Sequence, residues 1–512
     1  MQDQELKAAL KAYYNFEEFR KPQQEIIKSI LNKQDTIGIL PTGTGKSLCY
    51  QLPGILTNNL TLVISPLVAL MKDQVDTLNQ RGVPTISLNS HLTPKNMREA
   101  IEGIIDDRYK IIYLAPEKLF SEDFKEVVKT LAIDHIAIDE AHCISQWGHD
   151  FRPKYKKIAL ALKELPIRPT ISAFTATANQ KVLEDIIKLL DLREPKIYQT
   201  SFNRPNLYLD VKLYQDKGKY LLSYLKNLKE TDRGLVYCNT RGEVERIYKK
   251  LRENNIQAGM YHAGLKKKER QEVQDEFFND QHQVLIATNA FGMGLDKEDL
   301  TFIIHYNMPA NLESYYQEIG RGGRGGQPCS CILLFGLKDV IVNKALGQER
   351  VYFKWRLEEK KAQLKEITDF AHTEKCYKAV LLKHFGEELE HCGNCGNCLG
   401  SFKERDATQE AQMILSTVYH TKGYYGSGTI TAILKGKKTA KVKEKNLDQL
   451  SVYGLLKKER EEFIYYLTAR LELDGYLEKK QNSKFDEQIL ITKEGLELLK
   501  GQKKLVLNIR ES

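Results

Sequence analysis

Asp139-Glu140-Ala141-His142-Cys143-Ile144-Ser145-Gln146-Trp147-Gly148-His149-Asp150-Phe151-Arg152-Pro153-Lys154-Tyr155 joins two chemistries in one stretch. It begins with a carboxylate pair directly after the apolar run 133–138, which predicts a buried strand. In a nucleotide-hydrolysing α/β domain such a strand end holds Mg²⁺ and orients the attacking water. It continues into Trp147, His149, Phe151 and Arg152, side chains able to stack on bases and pair with phosphates. A hydrolysis site continuous with a base-stacking loop predicts a motor that uses ATP to move nucleic acid.

Working outward, short β-rich runs alternate with amphipathic stretches on both sides of this segment. Strands are expected at 36–40, 60–65, 110–115, 133–138 and 170–175, and a second series at 234–238, 258–261, 283–287, 302–305 and 330–335. Strands separated by helical patterns predict parallel sheets covered by helices on both faces, here two α/β domains in tandem. Asn203-Arg204-Pro205-Asn206 reads as the linker between them. From Asp339 through Phe370 the period becomes helical, and a cysteine cluster follows. Beyond about Asp406, helices lead into a hairpin, 476–479 and 488–492 around a polar turn, the pattern of a winged helix.

The totals agree with a large soluble enzyme. A chain of 512 residues allows roughly three or four domains, and 42% hydrophobic with 28% charged residues is ordinary. No apolar run approaches the roughly 18 residues that cross a bilayer. The start, Met1 to Leu10, lacks a signal peptide's apolar core, so a cytoplasmic location is expected. Nine cysteines, four of them clustered late, point to reduced thiols and one metal site. The net charge of +9 suits a nucleic-acid partner without requiring one. Lys435, Lys437, Lys438, Lys441, Lys443 and Lys445 form a local basic run that, by itself, is a solvated loop.

Pro41-Thr42-Gly43-Thr44-Gly45-Lys46-Ser47 lies between a predicted strand and a helix. Its glycines let backbone N–H groups reach phosphate oxygens, Lys46 reaches the β- and γ-phosphates, and the Ser47 hydroxyl can ligate Mg²⁺. Asp139 is then the Mg²⁺ ligand, Glu140 the general base and His142 a γ-phosphate sensor. Gln317-Glu318-Ile319-Gly320-Arg321-Gly322-Gly323-Arg324 puts two arginines on a Gly-rich segment able to cross a cleft to a phosphate. Asn289 to Asp296, with Gly294, offers close backbone approach to nucleotide or nucleic acid, or is a plain turn. Phe19-Arg20-Lys21-Pro22-Gln23 supplies an amide able to pair with adenine's edge.

In this order, and with Ser65 to Val75, Phe174 to Ala178 and Tyr261 to Leu265, the motifs resemble those of RecQ-family DNA helicases over nearly the whole chain. The resemblance implies two tandem RecA-like parallel-sheet domains (1–205 and 206–338), a helical zinc-binding module (339–405) and a winged-helix domain (406–512). It implies ATP, Mg²⁺ and Zn²⁺ as cofactors, with nucleotide contacts from Arg20, Gln23, Thr42, Gly43, Thr44, Gly45, Lys46, Ser47, His142, Gly294 and Asp296. Arg324 becomes the arginine finger, supported by Arg321, while Trp147, His149, Phe151 and Arg152 contact single-stranded DNA. Cys376, Cys392, Cys395 and Cys398 match the family's zinc ligands; C-x-x-C-x-x-C also serves iron–sulfur clusters, and His391 is an alternative ligand. Under this reading the lysine run contacts duplex phosphates. Gly322 replaces the family's usual Ala and Gly325 its usual Asp, so a floppier finger segment is expected. The expected activity is ATP-dependent 3′→5′ DNA unwinding in recombination and repair, by a monomer that works with single-strand-binding and repair proteins. An RNA helicase and a DNA binder with an inactive motor are the competing readings.

Overall fold

The computed structural model describes all residues except 1, 42, 67, 90–91, 146–153, 156–157, 214–215, 290, 292–296, 349–353, 482–486 and 511–512. The chain divides into two compact units. The first comprises Met1–Leu209, Leu221–Ile332 and Lys378–Cys392; the second comprises Asp210–Tyr220, Leu333–Tyr377 and Gly393–Ser512.

Seven strands, β1 (Thr36–Ile39), β2 (Leu60–Ile64), β3 (Thr85–Leu88), β4 (Ile111–Leu114), β5 (Ile133–Ile138), β6 (Thr170–Thr175) and β7 (Lys196–Gln199), form one sheet in the order β3-β4-β2-β5-β6-β1-β7. Every neighbouring pair is parallel. The central strands are buried at almost every position, as sheets covered on both faces require. A Cβ at Gly38 in β1 would stand 2.7 Å from the Phe174 ring of β6, so the glycine makes room for that ring. The helices Gln23–Leu31 and Lys46–Leu56 bury Ile27, Leu48 and Leu52 against Leu6 and Leu10 of the helix Asp3–Tyr14.

Six further strands, β8 (Leu207–Leu213), β9 (Gly234–Tyr237), β10 (Ala258–Tyr261), β11 (Val284–Ala287), β12 (Phe302–His305) and β13 (Cys329–Phe335), form a second sheet ordered β10-β11-β9-β12-β13-β8. β9 pairs in parallel with both β11 and β12. The strands expected from sequence in these two sheets are all present, with ends displaced by at most one residue. β3, β7 and β8 were not expected.

In the second unit the charged helical stretch is two helices, Leu337–Gln348 and Lys354–His372. The helices Thr408–His420, Ser427–Leu434 and Glu461–Leu473 pack Ile414, Ile430, Ile464, Leu467 and Leu471 around Ile489 of the antiparallel hairpin Leu477–Gln481/Glu487–Ile491. This is the expected winged helix. An antiparallel pair, Phe402–Asp406 with Val506–Arg510, was not foreseen.

Candidate nucleotide site and metal centre

β1 runs into the loop Pro41–Gly45 and the helix Lys46–Leu56, whose N-cap is Gly45. Gly43 and Gly45 adopt φ of +82° and +81°, the left-handed region that glycine enters without a Cβ penalty. A glycine-rich turn leading directly into a helix N-terminus is the arrangement that anion sites use. Among the described residues the buried Lys46 ammonium has no hydrogen-bond partner; it lies 3.7 Å from Glu140 Oε1. An orphaned buried cation beside a helix N-terminus fits a phosphate chain. Ser47 lies on the same first turn.

The amide of Gln23 is committed to protein. Its Oε1 accepts from Arg20 N (2.9 Å) and its Nε2 donates to the Thr44 carbonyl (2.9 Å). A Cβ at Gly45 would come within 2.5 Å of that Nε2, so this brace exists only because the loop has glycine there. Arg20 Nη1 donates to the Gly43 carbonyl at 3.2 Å, and Thr44 Oγ1 to that of Pro41 at 2.6 Å.

The carboxylates follow β5. Asp139 is buried, and burial, then the neighbouring Glu140 carboxylate, pushes it up to about 7 while the Lys46 ammonium opposes the rise. A carboxyl so disfavoured as an anion is a ready ligand for a divalent cation. Glu140 stands at φ +48°, ψ +47°, a left-handed conformation that costs a side-chain-bearing residue roughly 1–2 kcal/mol. Three hydrogen bonds hold it there: Glu140 N to Asp139 Oδ1 (3.0 Å), Cys143 N to the Glu140 carbonyl (2.9 Å) and Tyr155 Oη to the Asp139 carbonyl (3.2 Å). Strain maintained by surrounding bonds marks a functional site. Ser65 Oγ, after β2, reaches Asp139 Oδ2 at 3.4 Å.

His142 Nδ1 lies 2.9 Å from Thr175 Oγ1 and 3.3 Å from Glu140 Oε2. The Thr175 hydroxyl donates to the Thr177 carbonyl, so Nδ1 carries the proton and donates to Thr175. This joins the carboxylate segment to the end of β6. Nothing in the local spacing of Ser65, Thr175 or Tyr155 announces these contacts, whose partners lie 74, 33 and 16 positions away along the chain.

From the second sheet, Arg324 approaches the loop after β1: a Cβ at Gly43 would lie 3.1 Å from Arg324 Cγ and 3.4 Å from its Cδ. Arg321 is buried beside the Tyr237 hydroxyl, which burial pushes up against the pull of both guanidinium groups. The segment around Arg324 is packed and hydrogen-bonded at its glycines. A Cβ at Gly322 would meet Cys329 Sγ at 2.2 Å, so Cys329 occupies the space of the family's alanine. The Gly323 N–H donates to the Leu300 carbonyl and the Gly325 N–H to that of Glu298, at 3.0 and 3.2 Å.

The structure therefore brings together Arg20, Gln23, Gly43, Thr44, Gly45, Lys46, Ser47, Asp139, Glu140, His142 and Arg324, with Arg321 behind. Thr42, Trp147, His149, Phe151, Arg152, Gly294 and Asp296 lie outside the described residues.

The Sγ atoms of Cys376, Cys392, Cys395 and Cys398 all lie within 4.8 Å of one another, and those of Cys376 and Cys395 are 3.9 Å apart. A tetrahedral Zn–S₄ site with bonds of ~2.3 Å has S···S edges of about 3.8 Å, so the four thiolates fit a structural zinc ion. His391 is not among these ligands. In the winged helix, Lys435 is turned to structure: its Nζ donates to the carbonyls of Lys457 (2.8 Å) and Glu459 (2.6 Å). Lys437 pairs with Glu461, and Lys441 lies over the Tyr425 ring.

Family models match in the same order: DEAD/DEAH box helicase over 20–186, helicase conserved C-terminal domain over 216–326, RecQ zinc-binding over 337–399 and RQC domain over 401–512. The chain is 39% identical to the ATP-dependent DNA helicase RecQ of Bacillus subtilis, covering 96% of this chain and 83% of that protein. Its identity to the Haemophilus influenzae protein of the same name is 37%, over 98% and 80%. Among solved structures, the DUF1998 helicase MrfA bound to DNA aligns at TM-score 0.55 and 19% identity, over 74% of this chain and 54% of that one. S. cerevisiae Dbp5 bound to RNA and ADP BeF3 aligns at 0.53 and 18%, over 71% and 98%. These two likenesses speak for the fold. A chain with this motif order, this pair of parallel sheets and this cysteine cluster, matched nearly end to end, belongs to the RecQ family of ATP-dependent DNA helicases.

Proposed function

We propose that this chain hydrolyses ATP between its two parallel sheets and uses the cycle to move 3′→5′ along single-stranded DNA, unwinding duplex ahead of it in recombination and repair. One observation carries the reading: Arg324 of the second sheet stands over Gly43 of the phosphate loop on the first. A guanidinium brought from outside the loop can stabilise charge developing on the γ-phosphoryl group, an effect on the order of 10³–10⁵ in rate. It also makes closure of the two sheets a condition of turnover, which is what couples chemistry to movement.

In this reading Lys46 and the loop N–H groups hold the β- and γ-phosphates, and Glu140 takes the proton of the attacking water. His142, bonded to Thr175 and 3.3 Å from Glu140, is placed beside the general base as the γ-phosphate sensor. When bound at Ser47 and Asp139, Mg²⁺ neutralises charge on the phosphate oxygens. The working division is 1–205 for the nucleotide loop and carboxylates, 206–338 for the finger, 339–405 for the zinc module and 406–512 for duplex contact. A cytoplasmic monomer acting with single-strand-binding and repair proteins completes the proposal.

Strand displacement on matched DNA and RNA duplexes with 3′ or 5′ tails tests it. ATP-dependent opening of 3′-tailed DNA is expected. Preference for RNA would replace the substrate, and phosphate release without opening of either would leave a translocase that does not unwind.

A further inference from the structure

The segment between the two sheets does more than connect them. Arg204 Nη2 donates to the carbonyls of Gly322 (3.1 Å) and Gly323 (2.9 Å), and Asn206 Nδ2 donates to those of Gly323 (2.8 Å) and Gln327 (2.9 Å). The Cys329 N–H in turn donates to the Asn206 carbonyl at 3.0 Å. These contacts bracket Arg324 on both sides. Glycine-rich backbone has little rigidity of its own, so the direction in which Arg324 leaves it is set by whatever fixes those carbonyls. A planar guanidinium that bonds two successive carbonyls defines both their positions and their tilt.

The linker is itself immobilised. Phe202 is buried, its ring 4.6 Å from that of Phe385 and 5.7 Å from that of Tyr316, whose hydroxyl donates to the Phe202 carbonyl. Tyr316 lies on the helix Leu312–Ile319 that leads into the finger segment. Glu387 accepts from Ser201 Oγ and Phe202 N, both at 2.7 Å, and Lys378 Nζ donates to the carbonyls of Arg204 and Pro205 at 3.2 and 3.1 Å. The linker therefore forms a fixed bar against which the finger segment is held.

We propose that Arg204 and Asn206 are positioning residues for the arginine finger: they set where Arg324 stands over Gly43 and touch no nucleotide themselves. This rests on the reading of Arg324 as the finger. A displaced finger loses an interaction made in the transition state and leaves ground-state ATP binding intact. Arg204→Gln should lower kcat for DNA-stimulated hydrolysis by about 10- to 100-fold, since a misplacement near 1 Å can cost about 10²-fold. The KM for ATP should stay unchanged, and affinity for ADP with tetrafluoroaluminate should fall in step with kcat. Arg204→Lys, which keeps the charge and loses the fork, should behave like Arg204→Gln. In an Arg324→Ala background either substitution should add nothing.

Effects of Arg204→Gln and Arg324→Ala that multiply would overturn the proposal, as would a raised KM with kcat preserved. If Arg324→Ala alone leaves kcat unchanged, the finger reading itself falls and this inference with it. Asn206→Ala provides the same comparison if the Arg204 variants fail to fold.

Discussion

The two parallel sheets hold the charges proposed for catalysis by opposite means. On the first, Lys46, Asp139 and Glu140 are buried or nearly so, close to one another, with one residue in a left-handed conformation and one ammonium lacking a hydrogen-bond partner among the described residues. On the second, Arg324 rides on a glycine run whose shape is imposed by Arg204 and Asn206 from outside. The first arrangement keeps its cost in the resting protein and recovers it when nucleotide arrives. The second stores no strain, and its precision depends on hydrogen bonds that a change in the linker could reset. Preorganised charge suits the side that must be ready before ATP binds, whereas a mount of hydrogen bonds to a fixed linker suits a guanidinium that must be aimed across a cleft.

The largest expected effect falls on the first sheet. Lys46→Ala removes the ammonium that its buried surroundings leave unsatisfied, and ATP turnover should fall by at least about 10²–10³-fold while DNA binding persists in a filter or anisotropy assay. Normal turnover would end the account of a preorganised phosphate site. A smaller effect separates the two sheets by packing. Gly322→Ala would drive a Cβ to 2.2 Å from Cys329 Sγ, and overpacking of this kind costs about 1–3 kcal/mol. Adding Cys329→Ala should recover most of the denaturation midpoint, because the remaining neighbours, Cys329 Cβ and Ile303 Cδ1, each at 3.3 Å, need give only a few tenths of an ångström. A neutral single variant would show that the glycine mount is looser than its contacts.

The smallest effect is a slope. Asp139 is raised from its ordinary 3.8 to about 7 in the folded chain. Between those values the unfolded chain has released a proton that the folded chain keeps. Its contribution is therefore fully present below the lower value and lost as pH rises through the upper. In protein free of Mg²⁺ and nucleotide, Asp139→Asn should lack that loss, so its melting temperature should gain on the parent's from about pH 4 to about pH 7 and hold the gain above. A constant gap across that range would remove the strained-carboxylate side of the comparison.

What could be read from sequence was whatever chemistry writes locally. The phosphate loop, the carboxylate pair after an apolar strand and the cysteine spacing each need particular residues a few positions apart, so their contacts are implicit in their order. β7 escaped because a short, mostly exposed edge strand such as Lys196–Gln199 has no apolar run to announce it. Arg204 was visible only as part of a linker, since its partners lie more than a hundred positions away. The filling of the space beside Gly322 cannot be read from the glycine run itself, because the sulfur that occupies it arrives from β13. The pairing of the Gln23 amide with Arg20 and Thr44 depends on a left-handed turn that spacing does not encode.

The inward-facing ammonium of Lys435 has a practical consequence for anyone mapping the winged helix by charge removal. Its two carbonyl partners, at 457 and 459, immediately precede the helix Glu461–Leu473. Neutralising it would loosen the approach to that helix, and a weaker grip on duplex would follow even if the side chain never met a phosphate. The salt dependence of affinity tells the two apart: a lost phosphate contact makes the dependence shallower by about one counterion, whereas a loosened scaffold lowers affinity with the slope intact.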